Sequence, residues 1–95
     1  MRMIYEKRLA TLPAVERELG RLDGDAGLRL AGIYAGRACI AFVTRFEDTY
    51  TVLVHAMSKG GAPGRRLAAL EFGSLPELMA LMRELAGERV DAHVY

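Results

Sequence analysis

The spacing of apolar positions along this chain switches between two periods. In residues 12–22, LPAVERELGRL, the residues Leu12, Val15, Leu19 and Leu22 recur at intervals of 3, 4 and 3, the stripe of an amphipathic helix. Thr11 is placed to cap it, and Pro13 suits the first turn, where its missing N–H has no helical partner. The run DGDAG at 23–27 stops it. Residues 27–57 then read with period two. GLRLAGIYAG predicts a strand ended by Gly36. RACIAFVTRF predicts a second, with Ala38, Ile40, Phe42, Thr44 and Phe46 on one face. TYTVLVHAM predicts a third, alternating Tyr50, Val52, Val54 and Ala56 with Thr49, Thr51, Leu53, His55 and Met57. β-Branched and aromatic enrichment supports all three. The links Ala35-Gly36 and Glu47-Asp48 are short, so neighbouring strands are antiparallel hairpins.

RRLAALEFG, 65–73, predicts a fourth strand. The helical period returns in SLPELMALMRELAG, 74–87, with a stripe of Leu75, Leu78, Met79, Met82, Leu85 and Ala86. Ser74 and Glu77 have capping-box spacing, each side chain answering the other's backbone N–H. Gly87 is placed for a left-handed C′ position. RVDAHVY, 89–95, predicts a short last strand. The first ten residues fit both periods: Met1, Ile4, Tyr5 and Leu9 make a helical stripe, while Met3, Tyr5 and Leu9 share a strand face that Lys7 interrupts. A short helix or irregular lead-in is the preferred reading there.

The expected fold is a single α+β domain over residues 1–95. It is a two-layer sandwich: an antiparallel sheet of about four to five strands with two helices packed on one face, in the order α-β-β-β-β-α-β. The order α-β-β-β-α is shared with double-stranded-RNA-binding domains, which carry lysines at the start of their second helix. Ser74, Pro76 and Glu77 stand at that place here, so no membership is inferred.

Composition narrows the chemistry. A chain of 95 residues, 52% apolar and 26% charged, has the balance of a globular domain. It buries about 60–65% of its unfolded surface, enough for one modest core. A net charge of +1 gives no overall attraction to nucleic acid or anionic membrane, so any electrostatic site is local. Cys39 is the single cysteine, which excludes an intramolecular disulfide and a multi-thiolate zinc site. No apolar run approaches the ~20 residues of a membrane span. Glu6, Lys7 and Arg8 stand where a signal peptide needs apolar residues, so no membrane association and a cytoplasmic location are expected.

The most suggestive segment is HAMSKGGAPGRRL, 55–67. No acid occurs between Asp48 and Glu71, while Lys59, Arg65 and Arg66 are present beside Gly60, Gly61 and Gly64. The order fails the phosphate-loop pattern, and a strand rather than a helix follows, so no helix N-terminus waits for phosphate. A mobile, solvated hairpin loop accounts for the glycines, and the charge marks a contact loop. The tyrosines and phenylalanines mostly fit core positions, and the chain has no tryptophan, which leaves few aromatic rings for stacking bases. Counted from Asp23, an EF-hand loop would need glycine at Leu28 and glutamate at Tyr34, and neither is present. His55 and His93 lack a second ligand at i+2 or i+4, so no metal site is expected. Nucleophiles are scarce: Ser74 caps a helix, Cys39 lies mid-strand, and Ser58 near His55 has no orienting acid. Glu47 and Asp48 sit in a turn as solvated charge. Leu53, Met57 and Leu81 fall off the core stripes and are candidates for an exposed apolar patch.

These features favour a small non-enzymatic binding protein without cofactors, acting through protein–protein contact. It would be a regulator, inhibitor or immunity/antitoxin-type protein of bacterial or phage origin. The contact would use the loop residues Lys59, Gly60, Gly61, Arg65 and Arg66, with the sheet-face residues Thr51, Leu53, His55 and Met57. An exposed edge strand would also permit a homodimer. The alternative is a nucleic-acid-binding module using the basic loop 58–66, with Arg37 and Arg45 across the sheet face.

Overall fold

The computed structural model describes residues 7–95. Their elements run β1 (Lys7–Leu9), α1 (Leu12–Gly20), β2 (Gly27–Tyr34), β3 (Arg37–Phe46), β4 (Thr49–Met57), β5 (Pro63–Phe72), α2 (Leu75–Ala86) and β6 (Asp91–Val94). The class is α+β, with one antiparallel sheet in the spatial order β1-β6-β2-β3-β4-β5. The described sheet has six strands rather than four to five. The added strand is β1, at the place read as a helix or irregular lead-in. Leu9 pairs with Ala92 and is buried, and that tertiary contact outweighs the ambiguous local pattern. Residues 1–6 of the lead-in lie outside the described residues.

Both helices form as their caps predict. The Thr11 hydroxyl accepts from the Ala14 N–H at 3.2 Å, and the Ser74 hydroxyl accepts from the Glu77 N–H at 3.4 Å. The second cap is not reciprocal: the Ser74 hydroxyl also donates to the Glu77 carboxylate at 3.0 Å. Gly87 takes a positive φ of 62° but ψ of −131°, outside the left-handed helical region, with its N–H on the Arg83 carbonyl.

The two helices cover one face of the sheet. Register assigns to that face Leu28 and Leu30 of β2, Cys39, Ala41 and Val43 of β3, Val52 and Val54 of β4 and Ala92 of β6, all buried. From the helices, Val15, Leu19, Leu78, Met79, Met82 and Leu85 close the core. Leu81, expected to be exposed, is partly buried against this core. Gly32 shows how closely α2 approaches: a Cβ there would stand 2.2 Å from the Leu85 carbonyl oxygen. Tyr50 donates from its phenol to the Leu19 carbonyl at 2.9 Å, which pins the end of α1 to β4. Arg45 stacks 5.1 Å from the Tyr50 ring and donates to the Gly20 carbonyl at 3.2 Å. A cation at a helix C-terminus is favourably placed.

The strand edges are blunted. β5 carries Pro63 and Arg66, with register shifts where it meets His55 and Met57 of β4. β1 is three residues long. Proline, bulges, basic residues and short length all oppose edge-to-edge pairing.

Candidate functional site

The opposite face of the sheet carries no helix among the described residues. Register sets its side chains in rows that cross the strands. One row runs Arg8, His93, Arg29, Phe42, Leu53, Ala69, from β1 to β5. The next runs Asp91, Ala31, Ile40, His55, Arg66. A third holds Gly27, Thr44, Thr51 and Glu71. Tyr95 pairs its backbone with Gly27 in both directions, at 3.0 and 2.9 Å, and lays its ring where a Gly27 Cβ would be.

The face is apolar along its middle. Ala38, Ile40, Phe42, Thr44 and Phe46 form the outward row of β3. They share one face, as their alternation predicts, but it is the uncovered face. Phe46 is 76% exposed, against the expectation that the phenylalanines fit core positions. Each large apolar residue that stands exposed among the described residues, Ile33 (63%), Phe46 and Tyr95 (45%), lies on this face. Phe42 meets the His55 ring edge-on, with centroids 5.6 Å apart.

A concavity of about 390 Å³ lies over this face. Ala31, Ile40, Phe42 and Met57 line it, Gly61 of the β4–β5 loop and Pro63 at the start of β5 border it, and Arg29, Asp91 and His93 supply polar groups. His93 Nε2 lies 3.4 Å from the Asp91 carboxylate.

The loop itself is tight. The Ser58 N–H donates to the Ala62 carbonyl at 2.8 Å, and the Gly61 N–H to the Ser58 carbonyl at 2.9 Å. The Ser58 hydroxyl adds a bond to the Ala62 carbonyl at 2.7 Å. Gly60 and Gly61 sit at φ of 90° and 84°, where a side chain would be strained. The segment is therefore shorter than the long hairpin loop expected. β5 begins at Pro63, so Arg65 and Arg66 are strand residues, and of the named loop residues Lys59, Gly60 and Gly61 are in the loop. Arg66 lies opposite His55, which brings it to the sheet-face residues. Thr51, Leu53, His55 and Met57 do share the uncovered face, each partly exposed. His55 donates from Nδ1 to the Gly64 carbonyl at 2.9 Å, which braces the irregular end of β5. Arg37 and Arg45 point to the helix side, away from Arg66, which divides the basic set proposed for nucleic acid between two faces.

Sequence reasoning missed Ile33, Phe46, His93 and Tyr95 as members of this face. Two-residue hairpin links fix register, and register carried from Leu53 and His55 assigns Phe42 and Ile40 to their side. For β6 no such signal exists, because its neighbours β1 and β2 are distant in sequence.

Burial raises the Cys39 thiol above its ordinary value, with a backbone hydrogen bond from Gly32 opposing, so this group is a packed side chain rather than a thiolate nucleophile. No group of three or more His, Cys, Asp and Glu side chains is arranged to hold a metal among the described residues. No described helix is long and apolar enough to cross a membrane. No family model matches the chain, and neither a curated protein nor a solved structure matches it significantly.

Proposed function

We propose that the chain is a small non-enzymatic binding protein whose uncovered sheet face docks a protein partner. It belongs with the cytoplasmic regulators, inhibitors and immunity or antitoxin proteins that bacteria and phages make at this size. One observation carries the reading: the large apolar residues exposed to solvent, Ile33, Phe46 and Tyr95, all lie on the face that no described helix covers. The partly exposed Phe42, Leu53 and Met57 lie on the same face between its two ends, and exposed apolar surface of this kind marks interaction sites. Charge at the rim, from Lys59 and Arg66, supplies orientation and association rate more than affinity.

A photo-crosslinking residue in place of Phe46, introduced in the native cell, tests this. It should yield a discrete protein adduct, while the same residue in place of Glu84 on the outer side of α2 should not. Adducts with nucleic acid, or equal labelling from both positions, would overturn the proposal.

A further inference from the structure

The concavity over the uncovered face has two chemically different ends. It runs across the strands, from Asp91 and His93 of β6 and Arg29 of β2, over Ile40 and Phe42 of β3, to Met57 of β4 and Pro63 of β5. Ile40 is its floor. This residue stands on the face that no described helix covers, yet it is only 8% exposed, so the side chains around it wall the site in the free chain. A volume of about 390 Å³ falls toward the small end of the ~300–1,000 Å³ of small-molecule sites. Ile33, Phe46 and Tyr95 stand outside this lining.

The polar end carries both signs of charge. Arg29 pairs in register with His93, and Ala31 with Asp91, so Arg29 and Asp91 are diagonal neighbours. Such residues stand roughly 7–8 Å apart at the backbone. The Asp91 side chain is half exposed and meets His93 Nε2 at 3.4 Å, which leaves carboxylate lone pairs to accept from a ligand. A guanidinium has five N–H donors, enough for Arg29 to serve a ligand beside any other acceptor it meets. The far end, Ile40, Phe42, Met57 and Pro63, is uncharged.

We propose that this concavity binds a free apolar α-amino acid, with its ammonium on Asp91, its carboxylate on Arg29 and its side chain over Ile40 and Phe42 toward Met57. A molecule with both charges on neighbouring atoms and an apolar remainder answers both ends at once. An apolar carboxylic acid would set its charge near Asp91 with no ammonium to compensate, and an apolar amine would do the same near Arg29. A residue inside a partner's chain brings neither charge. The site stands beside the protein-contact reading and does not depend on it.

Titrating L-phenylalanine, L-leucine and L-methionine separately into the isotope-labelled full chain provides the test. The tightest of the three should bind with a Kd of about 1 mM or below and shift the amides of Ala31, Ile40, Phe42 and His93. Its matching amine, without the carboxylate, and its matching acid, without the ammonium, should each bind at least tenfold more weakly. Asp91→Asn should weaken the amino acid tenfold or more in a chain whose thermal transition is intact, and should bring it level with the matching acid. Phe46→Ser, outside the lining, should leave this binding unchanged. No saturable shift with any of the three, shifts confined to the helix side, or an amine or acid that binds as tightly would overturn the site. So would an Asp91→Asn chain that binds equally well, or a Phe46→Ser chain that binds less. A Phe46 crosslink to a partner protein without amino-acid binding overturns the site alone, and amino-acid binding without a crosslink supports the site and overturns the docking face alone.

Discussion

The two faces of β3 carry similar chemistry and are unequally buried. The inner row, Cys39, Ala41 and Val43, is fully buried, whereas the larger outer row runs from the buried Ile40 through the partly exposed Phe42 to the exposed Phe46. The larger face is not the core, because bulk on the helix side is supplied by the helices. Leu78, Met79, Met82 and Leu85 fill that space, and the strands opposite leave room for them with Gly32, Cys39, Ala41 and Ala92. α2 comes so close at Gly32 that no side chain fits there, while Leu28, Leu30, Val52 and Val54 fill the rest of the inner face to close packing. Apolar content alone does not say which side of a strand the protein covers for itself.

Matched truncations are the largest test of that contrast. Leu30→Ala empties a fully buried position on the inner face and should cost about 2–5 kcal/mol of unfolding free energy. Leu53→Ala on the outer face removes the same atoms and should cost about 1 kcal/mol or less, because it leaves water rather than a cavity. Denaturant melts of the two variants measure the gap, and similar losses would mean that the outer face is packed like a core. Gly32→Ala comes next. Its new methyl would meet the Leu85 carbonyl oxygen at 2.2 Å, so backbone must move, at a cost of about 1–3 kcal/mol by the same melts. Ala38→Val on the outer face adds volume into solvent and should be neutral within about 0.5 kcal/mol.

Much of the helix side was legible in the sequence, for reasons that are local. Thr11 and Ser74 cap as their spacing predicts, and the two-residue links Ala35-Gly36 and Glu47-Asp48 join β2 to β3 and β3 to β4. Ala35 and Gly36 both take positive φ, which suits a two-residue hairpin. What the sequence hid is long-range. Lys7–Leu9 becomes a strand through β6, which arrives more than eighty residues later, and the face holding Phe46 depends on where α1 and α2 settle. The candidate site was half legible. Thr51, Leu53, His55 and Met57 were found from alternation, but Tyr95 and His93 reach the same face through β6 pairing, which no local pattern announces.

A smaller effect separates charge on the inner side from charge on the rim. Glu18 of α1 accepts from Lys7 of β1 at 2.8 Å and from Arg21 at 2.6 Å, with its side chain 13% exposed. The Lys7 hydrogen bond, opposed by burial and aided by Arg21, holds its carboxyl below the ordinary value of 4.5. A lowered folded-state value stabilises the fold above the unfolded value, and the gain is lost as pH falls through the folded one. Glu18→Gln should therefore cost about 0.5–1 kcal/mol at neutral pH. Its deficit should close in acid below pH 4.5, read from paired urea melts. A deficit independent of pH would show that the carboxylate contributes packing rather than charge.

The smallest expected effect is the most informative about the uncovered face. Phe46 is 76% exposed, so Phe46→Ser removes a large ring that the isolated fold barely uses. Unfolding free energy should change by no more than about 0.5 kcal/mol, as for ordinary surface positions. Binding behaves differently, since an aromatic residue that is idle in the free protein can dominate an interface once a partner encloses it. A variant that keeps its stability and loses its partner separates the two roles at one residue. A loss of stability near 2 kcal/mol would instead mean that Phe46 is held by the chain itself, and the contrast between the faces would fail at the position where it is widest.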